Sequence, residues 1–165
     1  MYNLVGFQTH LTFPEQRRVF RMIPGLENAE FLRYGVMHRN TYLNSPGLLG
    51  ADYAMLQRPN VYFAGQMTGV EGYIESAGSG LVAGINAARR VRGMDALIFP
   101  RNTMIGAMAQ YVQNGSVSAF VPMNANFGII EMPAKKVKGG KAARNAVIAD
   151  TAIATITQML PEILA

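Results

Sequence analysis

The chain of 165 residues contains no cysteine, which excludes disulfides, thiolate metal sites and a thiol nucleophile supplied by these residues. Charge is also scarce, since 15% of the residues are charged and 50% are hydrophobic, a balance that argues against a disordered chain. No run of eighteen apolar residues occurs, and no basic segment precedes an apolar one at the N-terminus. We therefore expect a folded, cytoplasmic protein with a real core, no signal peptide and no membrane partner.

A nucleotide-binding motif is missing as well. No G-x-G-x-x-G sequence follows a first strand, and no acidic residue stands about twenty positions further on to hold a ribose. The pyrophosphate loop that usually anchors FAD or NAD is therefore not supplied by these residues.

Positive charge is concentrated in one segment. Residues 133–144, PAKKVKGGKAAR, carry five cations and no anion, while the net charge of the whole chain is +5. The remaining residues are therefore neutral on balance. Such a run attracts phosphate backbones, and it is equally consistent with a solvated connector built around Gly139 and Gly140.

Hydrophobic periodicity predicts a mixture of strands and helices. Strands are expected at Phe7–Phe13, at Ala29–Met37 and at the short apolar run VYFA, Val61–Ala64, which is typical of a strand buried on both faces of a parallel sheet. Helices are expected from Pro14, from the turn after VYFA to about Arg90, from an Asn102 cap to Asn114, and from Ala142 to about Leu160.

The turn between Gly65 and Gly69 joins the VYFA strand to the helix that ends at about Arg90. A strand, a tight turn and a helix start in this order bind ligands at the carboxyl edge of an open sheet. The free N–H groups of the helix start favour an anion or an electron-rich group, and Gln66 and Thr68 add neutral hydrogen-bonding groups. An ordinary strand-to-helix turn is the alternative interpretation.

The helix after the turn carries a row of small residues. At intervals of four stand Gly72, Ser76, Gly80, Gly84 and Ala88, and residues four apart share one helix face. This face is almost bare backbone. We expect close packing against another element of an α/β fold to explain Gly80 and Gly84 without a ligand.

The motifs resemble one known family. Residues 65–89, GQMTGVEGYIESAGSGLVAGINAAR, resemble the carboxyl-side flavin motif of TrmFO, the folate- and FAD-dependent tRNA (uracil-5-)-methyltransferases, and the MnmG/GidA flavoproteins have a similar pattern. Residues 2–46 and the MNANFG stretch at 123–128 resemble TrmFO specifically. The resemblance covers essentially the whole chain but only the C-terminal part of the longer family members. We therefore expect a fragment or truncated product that lacks the family's catalytic cysteines.

The resemblance implies the fold class and the domains. It implies an α/β fold that is the C-terminal part of a Rossmann-like FAD-binding domain, with a remnant of an inserted α+β domain. Residues 1–35 would be the remnant of the inserted substrate-side domain, and residues 36–132 the C-terminal part of the FAD-binding domain. Residues 133–165 would be a basic connector and a C-terminal helix.

The resemblance also implies a reaction: folate-dependent methylation of uridine C5 in the T-loop of tRNA, which forms ribothymidine. FAD is the implied cofactor, methylenetetrahydrofolate and NAD(P)H are the co-substrates, and tRNA is the partner. The residues that match the family's flavin-side turn are Gly65, Gln66, Met67, Thr68, Gly69 and Val70. Within that turn we expect Gln66 to face the ribitol and the amides near Thr68–Val70 to face the pyrimidine edge of the flavin.

Two further groups of residues are candidates for substrate binding. His38, which shares one turn with Arg39 and Asn40, can stack on a pterin in a folate pocket, and the Arg39 guanidinium can pair with a glutamate tail or a phosphate. A surface histidine in a polar loop is the alternative interpretation of His38. Arg17 and Arg18 lie within one helical turn and can meet the tRNA backbone, although a solvated helix face explains them almost as well. No metal site and no catalytic residue are assigned to this chain.

Two other interpretations stay open. The chain can be a non-catalytic nucleotide- or RNA-binding module that uses the glycine-rich helix and the basic segment, or a truncated product that folds poorly. A sheet without its first strands exposes unpaired edges, which tend to self-associate. We therefore expect self-association, or pairing with a missing N-terminal half.

Overall fold

The structure is a computed structural model that describes residues 2, 4, 9–36, 41–116, 118–133 and 137–165. The chain divides into two compact units, Met1–Asn40 (unit 1) and Thr41–Ala165 (unit 2). Each unit is described by itself. The three predicted domains with boundaries at 35/36 and 132/133 stay a prediction.

Unit 1 is built on one short helix, α1 (Phe13–Phe20), which begins with proline in its first turn as predicted. Gln16 is buried and fastens the chain on both sides of α1, because its side-chain amide donates to the carbonyls of Leu11 and Gly35 and accepts from the Gly35 amide. Aromatic rings complete the unit, with ring centroids 5.6–6.1 Å apart in the pairs Phe13–Tyr34, Phe20–Phe31 and Phe31–Tyr34.

Both strands predicted in this unit are wrong over the residues that the structure describes. Residues 9–12 and 29–36 have no strand partner, and Phe13, expected at the end of a strand, is the first residue of α1. Two aromatic residues of the second predicted strand pack against α1 instead: Phe31 contacts Phe20, and Tyr34 contacts Phe13.

Unit 2 contains a small sheet and three long helices. The sheet pairs β1 (Ala54–Met55) with β2 (Arg58–Tyr62) in an antiparallel hairpin, with a register shift between the two residues of β1. A 3₁₀ helix at Gly65–Thr68 follows, and then come α2 (Tyr73–Val91), α3 (Met104–Asn114) and α4 (Gly140–Leu164).

The VYFA run differs from its prediction in two ways. Only its first two residues are strand, in β2, and that strand pairs antiparallel instead of parallel. The burial prediction is wrong too, since Val61 is 36% exposed. Among the described residues, the second edge of β2 has no partner strand.

The core of unit 2 lies between α2, α3 and the loops that flank them. Its fully or almost fully buried members are Leu49, Ala51, Tyr53, Val70, Val82, Ala83, Leu97, Phe99, Met108, Ala109 and Val112. A polar residue of α2, Asn86, is 1% exposed and binds the segment after the helix. Its amide donates to the Leu97 carbonyl at 3.0 Å and accepts from the Leu97 N–H at 2.6 Å.

The predicted helices are confirmed, with shifts at their ends. Thr103, not Asn102, caps α3, since its hydroxyl accepts the Gly106 amide at 3.1 Å. The last helix extends past the predicted Leu160 to Leu164, even though Pro161 interrupts its hydrogen bonding. Ile148 of this helix is buried, whereas Leu160 is 42% exposed.

By length and apolar composition, α4 is the one helix among the described residues that meets the requirement for crossing a membrane, which is weak evidence by itself. In unit 2 the helix packs against protein: Ile156 and Met159 contact the core, and Asn102 donates to Thr155 at 2.9 Å. Its C-terminal carbonyls also accept hydrogen bonds from arginines of the α2 end. The prediction that the chain has no membrane partner stays a prediction.

Candidate functional site

The turn at residues 65–72 is shaped by three glycines in the left-handed region of backbone conformation. Gly65, Gly69 and Gly72 have φ of 74°, 92° and 98°, values that glycine adopts far more readily than other residues. The turn is fixed from its start, because the Gly65 amide donates to the Ser79 hydroxyl of α2 at 2.7 Å.

One side of the turn is closed by the protein itself. Thr68 and Val70 are fully buried, and the Thr68 carbonyl accepts from the Ser45 hydroxyl at 2.8 Å. The ring of Phe120 lies directly against Gly69, where it occupies the space that a Cβ would need. The same ring packs near Tyr111 at a centroid distance of 5.3 Å. Packing against Phe120 therefore accounts for Gly69 without a ligand.

A second chain segment holds the turn from outside. The Gly69 carbonyl accepts from the Met123 amide at 3.1 Å, and the Glu71 amide donates to the Met123 carbonyl at 2.9 Å, so that Val70 and Met123 form an isolated parallel bridge. These contacts place the MNANFG stretch alongside the turn. The motif that resembled TrmFO therefore supports the turn in this structure.

Glu75, in the first turn of α2, ties the helix to the same stretch. Its carboxylate accepts from the Ala125 amide at 2.9 Å. This hydrogen bond, with one from the residue's own backbone amide, lowers the pKa of Glu75 below its ordinary value, because both favour the charged form. The carboxylate also fills the space over Gly72. Glu75 is thus committed to a structural contact.

The opposite side of the turn, Gly65 to Met67, is open. Gln66 is exposed and the Met67 side chain is 48% exposed. A Cβ at Gly65 would meet only the Cβ of Ser76, at 4.0 Å. The first N–H groups of a short helix lack partners within that helix, and among the described residues the Gln66 amide has none elsewhere.

The open side fits part of a flavin, and the closed side does not fit it in this arrangement. Residues Gly65–Met67 offer open space beside Gly65, the free backbone N–H of Gln66 and the neutral side-chain amide of Gln66. These groups suit the ribitol and the electron-rich ring edge. The amides near Thr68–Val70, by contrast, lie beneath Phe120 and the Met123 segment. Their contact with a flavin stays a prediction that requires Phe120 to move.

The row of small residues on α2 has a different environment from the one predicted. A Cβ at Gly80 or at Gly84 would meet no atom within 4 Å. No described residue therefore packs closely against this part of the helix, and the expectation that both glycines serve close packing is wrong within this chain. Ser79 and Asn86, on the other side, are buried and hydrogen-bonded.

The predicted substrate residues all belong to the first forty residues of the chain, in unit 1. His38, Arg39 and Asn40 lie outside the described residues, so their folate role stays a prediction. Arg17 and Arg18 belong to unit 1, where Arg17 donates to the Tyr34 hydroxyl at 2.8 Å and Arg18 pairs with Glu15 at 2.8 Å. These exposed contacts leave the predicted role in tRNA binding untested.

Sequence reasoning missed the residues that shape the turn from a distance. Phe120, Met123, Ser45 and Ser79 contact it through ring packing or single hydrogen bonds. One sequence signal was present for Ser79: it is a polar residue on the same side of α2 as the apolar Val82 and Ala83. The others are far from the turn in sequence and carry no spacing that reveals the contact.

Comparison with known proteins adds a family to this geometry. The family described as Glucose inhibited division protein A matches residues 1–95, which include the whole turn and all of α2. The chain belongs to this family. Its fold agrees: the solved structure of GidA from Aquifex aeolicus is 30% identical, with a TM-score of 0.53 over 68% of this chain and 20% of that one.

Closer relatives carry one name. Methylenetetrahydrofolate--tRNA-(uracil-5-)-methyltransferase TrmFO of Acetivibrio thermocellus is 62% identical over 88% of this chain, and the protein of the same name from Lactiplantibacillus plantarum is 57% identical over 99%. The resemblance to TrmFO is therefore confirmed. The chain spans about a third of the length of these relatives, 33% and 37% respectively.

Proposed function

We propose that this chain forms part of a folate- and FAD-dependent enzyme that methylates C5 of uridine in the T-loop of tRNA. The observation that carries the proposal is the 62% identity to a TrmFO protein, whose name gives the methylene donor, the tRNA and the position of the methyl group. Identity of this size extends over residues of both units, since it covers 88% of the chain. A tRNA substrate also places the protein in the cytoplasm.

Within that enzyme, the open side of the turn holds one edge of FAD. Gln66 binds the ribitol through its side-chain amide, and the free Gln66 N–H and the exposed Met67 lie where the ring system approaches. The free Gln66 N–H can donate a hydrogen bond to negative charge, so this edge stabilises the reduced flavin. FAD itself supplies the transfer of the one-carbon unit and of electrons, with methylenetetrahydrofolate and NAD(P)H as co-substrates.

The chain does not supply every part of that chemistry. It contains no cysteine to add to the uracil ring and no glycine-rich pyrophosphate loop. Its contribution is positional: Ser79 fixes the start of the turn, and Met123 and Glu75 fix its end. The rest of the site belongs to the part of the TrmFO relatives that this chain does not match.

A reconstituted assembly tests the proposal. The chain is co-expressed with the part of the Acetivibrio thermocellus relative that it does not match, and incorporation of the methylene carbon into tRNA lacking the T-loop methyl group is measured. We expect a yellow complex that methylates the tRNA. A colourless complex without methylation would contradict the proposal, and a complex that binds tRNA without flavin would support a non-catalytic RNA-binding module.

A pair of glycine variants locates the flavin contact. Gly65→Val puts a side chain on the open side of the turn, and we expect flavin affinity and methylation rate to fall at least tenfold. Gly93→Val is the matched control, because Gly93 also has a positive φ, 71°, and open space around it. Equal losses in both variants would indicate backbone strain and not a flavin contact.

A further inference from the structure

A continuous apolar stripe runs along the exposed side of α2. Its members follow one another at steps of three and four residues, which keeps them on one helix face. All are exposed, and none is polar or charged: Ile74, Ala77, Leu81, Gly84, Ala88 and Val91. The three large members are far from covered, with Ile74 82%, Leu81 58% and Val91 90% exposed. A solvated helix normally places charge on such a face.

The middle of the stripe is shaped for close contact. A Cβ at Gly80 or at Gly84 would meet nothing within 4 Å, so the backbone there is bare and accessible. Glycine inside a helix destabilises that helix by about 1 kcal/mol relative to alanine. Two glycines one turn apart, between Ala77 and Ala88, allow another helix to approach more closely than larger side chains permit.

The stripe continues into an apolar groove. Leu81 also lines a cavity of about 540 Å³ between α2, α3 and α4. The α4 side of this groove presents Ile153 and Leu160, which are 66% and 42% exposed. Stripe and groove together form one uncovered apolar surface of unit 2.

The size of the surface bears on its occupant. The stripe from Ile74 to Val91 is about 26 Å long, at 1.5 Å per residue. A helix about 10 Å wide covers roughly 300 Å² of it, well below the roughly 800 Å² per partner of a stable specific interface. A second copy bound through the stripe alone therefore lacks area. A segment that other contacts already hold in place does not face this limit. Within the described ranges of unit 2, β2 offers a further unpaired edge for such contacts.

We propose that the α2 stripe is the docking face for an α-helix from the part of the TrmFO fold that this chain does not match. That part amounts to about two thirds of each relative, because the chain spans 33% and 37% of them. The docked helix carries an apolar face and crosses α2 at Gly80 and Gly84. This inference deepens the proposed function and rests on it, since it names the protein partner that completes the same enzyme.

Single cysteines report the contact directly, because the chain has no cysteine of its own. Ala88→Cys lies on the stripe, and Ala154→Cys lies on the exposed side of α4 away from the groove as the matched control. Each variant is treated with a maleimide alone and in the co-expressed complex, and modification of its peptide is followed by mass spectrometry. We expect the complex to slow modification at position 88 at least tenfold and at position 154 less than twofold.

A steric variant provides the second measurement. Gly84→Leu fills open space in the chain alone, so the helix content and the unfolding midpoint of the isolated chain should not fall. In the complex the added side chain blocks the approaching helix, and we expect the dissociation constant to rise at least tenfold. A variant that binds as tightly as the unmodified chain would overturn the proposal.

The outcomes separate this inference from the proposed function. A yellow, active complex in which Ala88→Cys reacts freely would overturn the docking face and leave the proposed function intact. Protection at Ala88→Cys in a colourless, inactive complex would support the docking face and count against the proposed function. Protection in the isolated chain at micromolar concentration would show that a second copy occupies the stripe, which would overturn the choice of partner.

Discussion

The two faces of α2 differ in composition, and the more apolar face is the exposed one. The inner face presents Ser79, Val82, Ala83 and Asn86, all of them buried against the core of unit 2. The outer face, the α2 stripe, is more uniformly apolar and is uncovered along its length. Burial in this chain therefore does not follow hydrophobicity. Whether a face of α2 is buried depends on whether another segment of this chain packs against it.

The comparison extends to individual glycines. Gly106 on α3 lies so close to the carbonyls of Phe99 and Pro100 that no Cβ fits, whereas Gly84 on α2 has open space around it. At Gly106, crowding by other residues of this chain is enough to require glycine. At Gly84, the reason for glycine lies outside the chain, in the helix that we propose to dock there.

The largest expected effect concerns the crowded glycine. Gly106→Ala forces a Cβ to within 2.7 Å of the Phe99 carbonyl carbon, so the start of α3 has to shift, and overpacking of this kind costs about 3 kcal/mol. Urea denaturation of the isolated chain measures the free energy of unfolding. A loss well below 1 kcal/mol would show that the packing around Gly106 is looser than described.

A large effect is also expected from the inner face of α2. Asn86→Ala removes both hydrogen bonds to Leu97 and leaves that buried backbone unpaired, at a cost of about 2 kcal/mol. The free energy of unfolding is compared with that of Ala88→Asn, which places the same side chain on the outer face and should cost only the difference in helix propensity between alanine and asparagine, about 0.7 kcal/mol. Similar losses in both variants would remove the distinction between the faces.

The outer face should respond in the opposite direction. Gly84→Ala adds a methyl group in open space and raises the helix propensity of α2, so the isolated chain should gain about 0.5–1 kcal/mol in stability. The same denaturation experiment tests this sign. Destabilisation would mean that the backbone at Gly84 is already covered in the isolated chain.

The smallest effect is a pH dependence at the start of α2. Hydrogen bonding to the charged carboxylate lowers the pKa of Glu75 in the folded state, so Glu75 contributes stability above its unfolded pKa of about 4.3 and loses it as the pH falls through the lower folded value. The unfolding midpoint of Glu75→Gln should lie below that of the unmodified chain at pH 7, and this gap should be smaller at pH 3. An equal gap at both values would contradict the assigned hydrogen bond.

The sequence predicted the helices well because their signals are local. Proline in the first turn of α1 and the apolar periodicity of α3 and α4 are contained within each segment. The cap of α3 was misplaced by one residue, since Asn102 and Thr103 are both suitable and only the structure shows which hydroxyl or amide meets Gly106.

The strands were predicted poorly because a strand depends on a partner. Val61 carries the signature of a doubly buried strand, yet β2 pairs only with the two-residue β1, which has no recognisable pattern of its own. The candidate site shows the same division between features with a local sequence signal and features that depend on distant residues. The glycines of the turn were identified from the sequence, whereas the packing of Phe120 on Gly69 depends on distant residues and could not be predicted.

Titration with FAD, followed by the quenching of flavin fluorescence, tests most directly the claim that this chain supplies one edge of a flavin site completed by the rest of the fold. The isolated chain should bind FAD at least a hundredfold more weakly than the co-expressed complex does, because Gly65–Met67 are the only residues of this chain that we propose to contact the cofactor. Equal affinity of the two preparations would contradict the account, as would a complex that does not quench the fluorescence at all.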